Sequence, residues 1–275
     1  MFRAKKHLGQ NFLINPQVLP EIIKAAGIVR GDIVIEVGPG MGILTKALLD
    51  AGARVFAIEK DFDLIAKLTK EFGNNKNLTI VHQDALFFDE TTFNKYKVVS
   101  NLPFNIASPI IRKFLESSNQ PELMVVMVQR EVAEKITAKP GNSERSVLTL
   151  SVEFYGDAGI ITTVSKNSFR PQPKVDATII KIKPAQKSAT HAIDPRLFFR
   201  IVKAGFSVKR RQIHNSLQAA LRLPKDGIAT WLKKSKINPR KRAEDLSLAD
   251  WLRLVNNYIR NENAANAMSA ARERP

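Results

Sequence analysis

Short hydrophobic runs alternate with amphipathic segments along the first half of this 275-residue chain. The runs are rich in Val and Ile, which favour buried strands, and predict strands at residues 32–37, 54–58, 78–82, 96–100 and 123–129. The segments between them repeat apolar residues at helical spacing and predict helices at residues 16–26, 43–51, 61–72 and 106–117. Strands and helices that alternate in this way build a parallel sheet with helices on both faces. The pattern therefore predicts an α/β domain.

The pattern changes in the second half of the chain. A helix is predicted at residues 145–155, and apolar runs at 158–164 and 177–182 flank a Pro-rich loop, which suits an antiparallel edge to the sheet. Beyond them only helices are predicted, at residues 195–206, 211–221, 227–236 and 248–260. We therefore expect an α/β domain over residues 1–186 with a basic N-terminal arm, 1–15. A helical domain over residues 187–275 would end in a frayed tail, 261–275.

Positive charge is concentrated in the last third of the chain. The whole sequence has 43 Lys and Arg against 26 Asp and Glu, a formal net charge of +17. Residues 186–275 contain 19 basic and 7 acidic side chains, whereas the preceding 185 residues contain 24 and 19. Clustered cations favour a polyanionic partner, because its phosphates release counterions when they are neutralised. A basic surface that serves solubility alone is the other interpretation.

The composition also limits the chemistry. The chain has no Cys, which excludes disulfides and thiolate catalysis, and its four His are too scattered to suggest a zinc site. No hydrophobic run is long enough to span a bilayer, and the basic N-terminal stretch does not lead into an apolar signal core. We expect a monomeric cytoplasmic protein without a metal or a membrane partner.

A glycine-rich turn and two acidic side chains come at the ends of successive predicted strands. Gly38-Pro39-Gly40-Met41-Gly42 follows the first strand, Glu59 ends the second and Asp84 follows the third. Glycine lets the backbone approach a ligand closely, a carboxylate at the second strand suits ribose hydroxyls, and an Asp can accept a hydrogen bond from an adenine amino group. Since open α/β sheets bind ligands at the carboxyl ends of their strands, these features predict a nucleoside-containing cofactor.

Two cofactors fit that pattern, a nicotinamide dinucleotide and S-adenosylmethionine. The glycines lack the G-x-G-x-x-G spacing of a pyrophosphate-binding turn. The strand before them also ends in an acid, Glu36, whose charge disfavours a pyrophosphate and suits a sulfonium cation with an amino-acid tail. S-adenosylmethionine is therefore the better candidate, and a dinucleotide-dependent oxidoreductase is the weaker one.

Asn101-Leu102-Pro103-Phe104 follows the fourth predicted strand. The Asn side-chain oxygen and the carbonyl of Leu102, which precedes a Pro without an N–H, can each accept a hydrogen bond from an exocyclic amine. Phe104 can lie against the face of the base. The segment therefore indicates a pocket for an amino-substituted base, although a strand end with a Pro turn and a core Phe would look the same.

An ordered set of motifs resembles the ribosomal RNA adenine dimethyltransferase family, specifically its bacterial small-subunit branch, which is linked to kasugamycin sensitivity. The resemblance covers residues 5–246. The set comprises Lys6–Leu13, Glu36–Gly40, Glu59, Asp84-Ala85, Asn101–Ile106, Phe169–Asp176 and Phe206–Leu217. The resemblance implies a Rossmann-like class I methyltransferase sheet, S-adenosylmethionine as cofactor, and two adjacent adenines near the 3′ end of small-subunit (16S) rRNA, within an immature ribosomal subunit, as substrate.

The resemblance also implies individual roles. Asn11 and Leu13 would line the methionine end of the cofactor, and Gly38 would contact it from the glycine loop. Glu59 would bind the ribose and Asp84 the adenine. Asn101 would both bind the cofactor and hold the reacting amine beside it.

Two positions depart from the family pattern. The family usually has Tyr where this chain has Phe104, which keeps the stacking face and loses a hydroxyl. It also usually has Pro or another small residue where Arg170 stands, so the shape of that substrate-facing loop is open. For RNA contacts the candidates are Lys209, Arg210 and Arg211, within the motif Phe206–Leu217 that we take as helical, with a solvated helix face as the alternative.

Two other functions stay open at this point. One is the large-subunit rRNA methyltransferase of macrolide resistance, which shares the motifs. The other is a ribosome-assembly factor whose binding to nascent subunits matters more than its methylation.

Overall fold

The computed structural model describes residue 5, residues 9–185 and residues 193–259. Lys6 and His7 of the predicted arm, the junction at residues 186–192 and the tail predicted at 261–275 lie outside the described residues. The chain divides into two compact units. The first comprises Met1–Thr137 and Tyr155–Ala185, and the second comprises Ala138–Phe154 and Gln186–Pro275. This division differs from the expected one at residue 186, because residues 138–154 group with the C-terminal helices.

The first unit is built on a seven-stranded sheet. In spatial order its strands are β4 (Leu78–His82), β3 (Arg54–Glu59), β2 (Ile33–Val37), β5 (Lys97–Asn101), β6 (Leu123–Gln129), β9 (Ala177–Pro184) and β7 (Gly156–Val164). The first five strands are mutually parallel, and β9 lies antiparallel to both β6 and β7. This confirms the predicted parallel sheet and its antiparallel edge.

Helices pack against the sheet. They are α1 (Leu19–Ala26), α2 (Ile43–Asp50), α3 (Phe62–Phe72), α4 (Ala107–Glu116) and α5 (Arg130–Thr137). Local signals set their ends: α1 has Pro20 in its first turn and ends at Gly27, whose φ of 54° is left-handed. The side chain of Asp61 caps α3 by accepting from the amide of Asp63.

A small ribbon lies outside this sheet. Strand β1 (Phe12–Leu13) pairs antiparallel with β8 (Phe169–Arg170), so that Leu13 lies opposite Phe169. Both side chains are buried, with 4% and 1% of their surface exposed. The ribbon fixes the segment that precedes α1 to the loop that precedes β9. No prediction was made for it, because two-residue strands carry no periodicity.

The second unit is helical. Its helices are α6 (Val147–Tyr155, of which Tyr155 belongs to the first unit), α7 (Pro195–Gly205), α8 (Ile213–Leu221), α9 (Lys225–Lys234) and α10 at residues 248–259. Arg145 joins residues 138–154 to the rest of this unit. Its buried guanidinium forms two hydrogen bonds with the carboxylate of Glu153 and also donates to the carbonyls of Ala138 and Leu246. Among the described residues, no helix combines the length and apolarity needed to cross a membrane.

Candidate active site

A cavity of about 340 Å³ opens at the carboxyl ends of the parallel strands. Its walls come from the segment before α1, the turns after β2, β3 and β4, and the segment after β5. The structure brings together in this one cavity all eight residues that were predicted to bind the cofactor or the amine. They are Asn11, Leu13, Gly38, Glu59, Asp84, Asn101, Leu102 and Phe104.

The glycine turn after β2 brings bare backbone to the cavity. Gly38 and Gly40 have left-handed φ angles of 69° and 57°. A Cβ on Gly40 would lie 2.9 Å from Cδ1 of Phe12, and one on Gly38 would lie 3.0 Å from Cγ of Pro103. Both positions therefore require glycine on two grounds, the backbone conformation and the lack of space.

Glu36 lies at the end of β2 and is 1% exposed. Its Oε2 accepts a hydrogen bond of 2.7 Å from the hydroxyl of Thr45 in α2. Burial raises the pKa of Glu36 to about 8, and the nearby charge of Glu59 adds to the rise. Glu36 was expected to carry a negative charge, but at neutral pH only a fraction of the molecules have it ionised. A cation in the cavity would raise this ionised fraction.

Glu59 ends β3 and is held by backbone donors. Its Oε1 accepts from the amides of Lys60 and Asp61, both at 2.8 Å. Burial raises the pKa of Glu59, although hydrogen bonds from the amides of Asp61, Lys60 and Gly40 oppose the rise. Since these amides fix the orientation of the carboxylate, Glu59 presents a pre-organised acceptor to the cavity, which suits a pair of ribose hydroxyls.

Asp84 follows β4 and caps the short 3-10 helix Ala85–Phe87. Its Oδ1 accepts from the amide of Leu86 at 3.0 Å, and its Oδ2 accepts from Nζ of Lys60 at 2.9 Å. The hydrogen bonds from Lys60 and Leu86 lower its pKa. Asp84 is therefore a charged acceptor at the rim of the cavity, next to Glu59 in space because β3 and β4 are neighbours.

Asn101 ends β5 and has one unsatisfied atom. Its Nδ2 donates to the carbonyl of Asn11 at 3.3 Å, whereas its Oδ1 is buried without a hydrogen-bond partner in the described part of the chain. A buried acceptor without a donor destabilises a fold by about 1–3 kcal/mol, so such atoms need an explanation. A ligand that supplies an N–H to Oδ1 would provide one.

Leu102 and Phe104 complete the wall after β5. Leu102 is 1% exposed and its amide donates to the carbonyl of Met127. Phe104 is half-buried, and its ring meets that of Phe169 edge to face with the centroids 6.3 Å apart. The Phe104 ring thus has a fixed orientation beside Asn101, as a stacking face for a planar base requires.

Several residues that line the cavity were not predicted to take part. Phe12 reaches it from the ribbon, and Lys60 reaches it through its bond to Asp84. Lys60 directly follows Glu59, so its place beside the cavity could have been inferred from the strand end. The place of Phe12 could not, because it depends on pairing with a segment more than 150 residues away.

The predicted RNA-binding residues lie in the second unit. Lys209, Arg210 and Arg211 are exposed, and they form the turn between α7 and α8, which begins at Ile213. The prediction that they belong to a helix was wrong, since Arg210 has a left-handed φ of 62° that no α-helix accommodates. A turn projects its side chains in several directions, so the interpretation as one face of a helix is also excluded.

Known proteins of similar sequence are rRNA-modifying enzymes. The family model "Ribosomal RNA adenine dimethylase" matches residues 1–260. A "Ribosomal RNA small subunit methyltransferase A" of Dehalococcoides mccartyi is 40% identical over 263 residues, which cover 94% of this chain and 90% of the relative. A protein of the same name from Clostridium botulinum is 40% identical over 257 residues, covering 92% and 93%.

Solved structures that superpose on this chain include methyltransferases as well. A dimethyladenosine transferase from Plasmodium falciparum superposes with a TM-score of 0.75 at 29% identity and covers 90% of this chain and 98% of its own. The 23S rRNA methyltransferase ErmE superposes with a TM-score of 0.71, covering 90% and 99%, and at 24% identity it shows the fold alone. Both have the Rossmann-like methyltransferase fold that the sheet order displays. This chain belongs to the ribosomal RNA adenine dimethylase family.

Proposed function

We propose that this protein transfers methyl groups from S-adenosylmethionine to the N6 amino groups of two adjacent adenines near the 3′ end of small-subunit rRNA. Family membership makes the chain an S-adenosylmethionine-dependent rRNA adenine dimethyltransferase. The names of its relatives support the small subunit as the target. The observation that carries the chemical part of the proposal is the buried Oδ1 of Asn101, which lacks a donor in the described residues and lines the cavity.

The residues of the cavity fit the cofactor. S-adenosylmethionine, when bound, supplies an electrophilic methyl group on a sulfonium cation. Glu59 would bind the ribose hydroxyls and Asp84 the adenine amino group, while Asn11, Leu13 and Gly38 would surround the amino-acid end. Glu36, which is buried in the cavity wall, would support the positive charge, because a buried carboxylate is ionised most readily beside a cation.

Catalysis in this proposal is positioning. The nitrogen lone pair of an adenine amine is delocalised into the ring, and the segment 101–104 has no titratable side chain to remove a proton. Asn101 Oδ1 and the carbonyl of Leu102 would accept hydrogen bonds from the two amine hydrogens, which favours a tetrahedral nitrogen with an available lone pair. The proton that the nitrogen must lose on methylation would pass to water. Phe104 stacks on the base, which must leave its own stack in the RNA to reach the cavity.

The RNA partner is supported by charge. Residues 186–275 carry 19 basic and 7 acidic side chains, and Lys209, Arg210 and Arg211 are exposed in a turn of the helical unit. Exposed cations without matching acids bind phosphates through counterion release. We extend the proposal to a cytoplasmic monomer that acts on an immature small subunit.

Two alternatives predict different outcomes. A large-subunit enzyme would modify 23S rRNA, and the likeness to ErmE does not favour it because 24% identity shows the fold alone. An assembly factor would promote subunit maturation even when methylation is abolished. The relatives are named as methyltransferases, which favours the enzymatic role.

The test is transfer of labelled methyl groups to undermethylated small subunits, large subunits and naked rRNA, followed by mapping of the modified bases. We expect label only on two adjacent adenines of the small subunit. Asn101→Ala should lower the rate by about 10²–10³-fold, as removal of one transition-state hydrogen bond does elsewhere. Its affinity for the cofactor should stay within a few-fold of the wild-type value. Label on 23S rRNA would refute the choice of target, and near-normal turnover of Asn101→Ala would refute the role of that residue.

A further inference from the structure

A chain segment that forms one wall of the cavity is anchored at both ends. Residues 9–13 line the cavity. Downstream, Leu13 is buried in the ribbon opposite Phe169, and the amide of Ile14 donates to the carbonyl of Ser168 at 2.8 Å. Upstream, Lys5 and Gln10 bond to Asp61 at the start of α3. A segment held at both ends in this way is a bridge across the cavity wall.

The upstream anchor is a closed triangle of hydrogen bonds. The amide of Lys5 donates to Oε1 of Gln10 at 2.7 Å, and Nε2 of Gln10 donates to Oδ2 of Asp61 at 2.8 Å. Nζ of Lys5 donates to Oδ1 of Asp61 at 2.6 Å. The Asp61 side chain is fully buried, whereas that of Lys5 is 36% exposed. Burial alone would raise the pKa of Asp61, but its bonds to Lys5 and Gln10 outweigh burial and lower the pKa.

The bridge has little freedom between its anchors. Gly9 has a left-handed φ of 66°, and a Cβ there would lie 2.5 Å from Oδ1 of Asn105. The ring of Phe12 covers Gly40 so closely that a Cβ on that glycine would collide with it. These contacts place the carbonyl of Asn11 where it accepts from Nδ2 of Asn101 at 3.3 Å.

That last bond determines how Asn101 presents its amide. Because Nδ2 faces the carbonyl of Asn11, the opposite end, Oδ1, is the atom left without a partner in the described chain. The same acid that anchors the bridge is also connected to the predicted ribose site, since the amide of Asp61 donates to Oε1 of Glu59 at 2.8 Å. One short stretch, residues 59–61, thus serves both the cofactor and the bridge.

We propose that Asp61, Gln10 and Lys5 form a positioning latch that holds residues 9–13 in place and thereby orients the amide of Asn101 toward the reacting amine. This inference rests on the proposed role of Asn101. Among the described residues the bonds of the latch do not reach Asn101 directly, and the connection to that side chain runs through the carbonyl of Asn11. The latch spares the enzyme the entropy of ordering residues 9–13 each time a base enters the cavity.

The test compares Lys5→Met, Gln10→Met and Asp61→Asn, the last of which keeps an acceptor for the cap of α3. Lys46→Met is the matched control, because it breaks an exposed Lys–Asp pair of 2.7 Å in α2 that has no connection to the bridge. Lys5→Arg should preserve the latch. The first measurement is hydrogen exchange of the amides of residues 9–13 without cofactor, together with the melting temperature.

We expect the three latch variants to exchange faster at residues 9–13 while exchange in the core strands stays slow, and the melting temperature should fall further than in Lys46→Met because the Asp61 side chain is buried. Their kcat for methyl transfer should fall by about 10- to 100-fold, as small misplacements of catalytic groups do, with a smaller change in KM for the cofactor. The double variant Lys5→Met/Asp61→Asn should be no slower than the worse single variant, because both remove the same latch.

The outcomes separate the latch from the function on which it rests. Unchanged exchange at residues 9–13, or faster exchange with unchanged kcat, would overturn the latch while leaving the methyltransferase intact. If the wild-type protein methylates no rRNA, the proposed function has failed. Hydrogen exchange and cofactor affinity alone then decide whether the latch holds residues 9–13. Unchanged values of both in the variants would overturn that role.

Discussion

Cofactor binding should release a proton from Glu36, and the substitution that tests this is Glu36→Gln. The side chain is 1% exposed, lines the cavity and receives one hydrogen bond from Thr45. Burial and the nearby Glu59 raise its pKa to about 8, so the free protein holds Glu36 mostly protonated at pH 7. S-adenosylmethionine has a net positive charge and therefore binds best to the ionised form. Gln keeps the shape and the hydrogen bond with Thr45 but cannot ionise.

The size of the pH effect on cofactor affinity follows from the pKa of Glu36. If only the ionised form binds tightly, a pKa of about 8 weakens the apparent affinity by about 10-fold at pH 7, about twofold at pH 8 and hardly at all at pH 9. Affinity should thus rise about fivefold between pH 7 and pH 8 and then level off. At pH 7, binding should release about 0.9 proton from this one group.

Calorimetric titration in two buffers of different ionisation enthalpy measures both the cofactor affinity and the number of protons released on binding. The α-ammonium group of the cofactor also titrates near pH 8, so the informative value is the difference between the wild-type protein and Glu36→Gln with the same ligand. Titration with S-adenosylhomocysteine, which has no sulfonium charge, supplies a second reference. The wild-type protein should release more protons than the variant, and this excess should be larger for the sulfonium ligand.

The stability of the free protein provides an independent check, because it should fall with rising pH whereas the cofactor affinity should rise. A carboxyl group whose folded pKa is raised stabilises the fold at low pH, and that contribution is lost as the pH rises through the folded pKa of about 8. The free energy of unfolding should fall between pH 5 and pH 8 more steeply in the wild-type protein than in Glu36→Gln. Equal proton release in the two proteins, together with equal pH dependence of stability, would refute the account of Glu36.

Three further substitutions have measurable outcomes. Gly40→Ala should lower the free energy of unfolding by about 1–2 kcal/mol in urea denaturation and weaken cofactor binding, because the φ of Gly40 is 57° and the new Cβ would lie 2.9 Å from Phe12. Wild-type stability of the variant would contradict this. Arg145→Met should destabilise the helical unit by about 3–5 kcal/mol, since it leaves the Glu153 carboxylate without its buried partner, and an unchanged unfolding midpoint would contradict it. Charge reversal at Lys209–Arg211 should flatten the salt dependence of RNA affinity by roughly one unit of slope per lost phosphate contact, with Lys46→Glu as control.

The sequence predicted best where the structure depends on neighbouring residues. The parallel strands, most of the helices and the antiparallel edge follow from local apolar periodicity, and the observed boundaries differ by only a few residues. The cavity could be predicted because the topology of a parallel sheet brings strand ends together, so Gly38, Glu59, Asp84 and Asn101 had to lie at one edge. Helix α5 was missed although Val132, Ala133 and Ile136 have helical spacing, because its first residue directly continues β6.

The predictions were poorest where distant segments meet. The β1–β8 ribbon joins residues about 157 apart in sequence, and no local signal marks either strand. Residues 138–154 group with the helical unit because the buried Arg145 binds the carbonyl of Leu246, which is 101 residues away. The turn at Arg210 lies within the motif Phe206–Leu217, which was taken as helical although the helical spacing itself ends at residue 206 and resumes at residue 211.

The arrangement of acidic side chains explains why the cavity suits a sulfonium cofactor better than a nicotinamide dinucleotide. Glu36 is the second-last residue of β2, Glu59 ends the adjacent parallel strand β3, and Asp84 follows the next strand, so all three carboxyl groups line the cavity. Within the described residues, Asp84 alone of these three groups is bonded to a cationic side chain, that of Lys60. Two phosphates placed beside Glu36 and Glu59 would add like charge to groups whose pKa values are already raised by burial. A positively charged sulfonium ligand instead lowers both pKa values, so the buried acids that weaken the free protein at high pH become a source of affinity for the methyl donor.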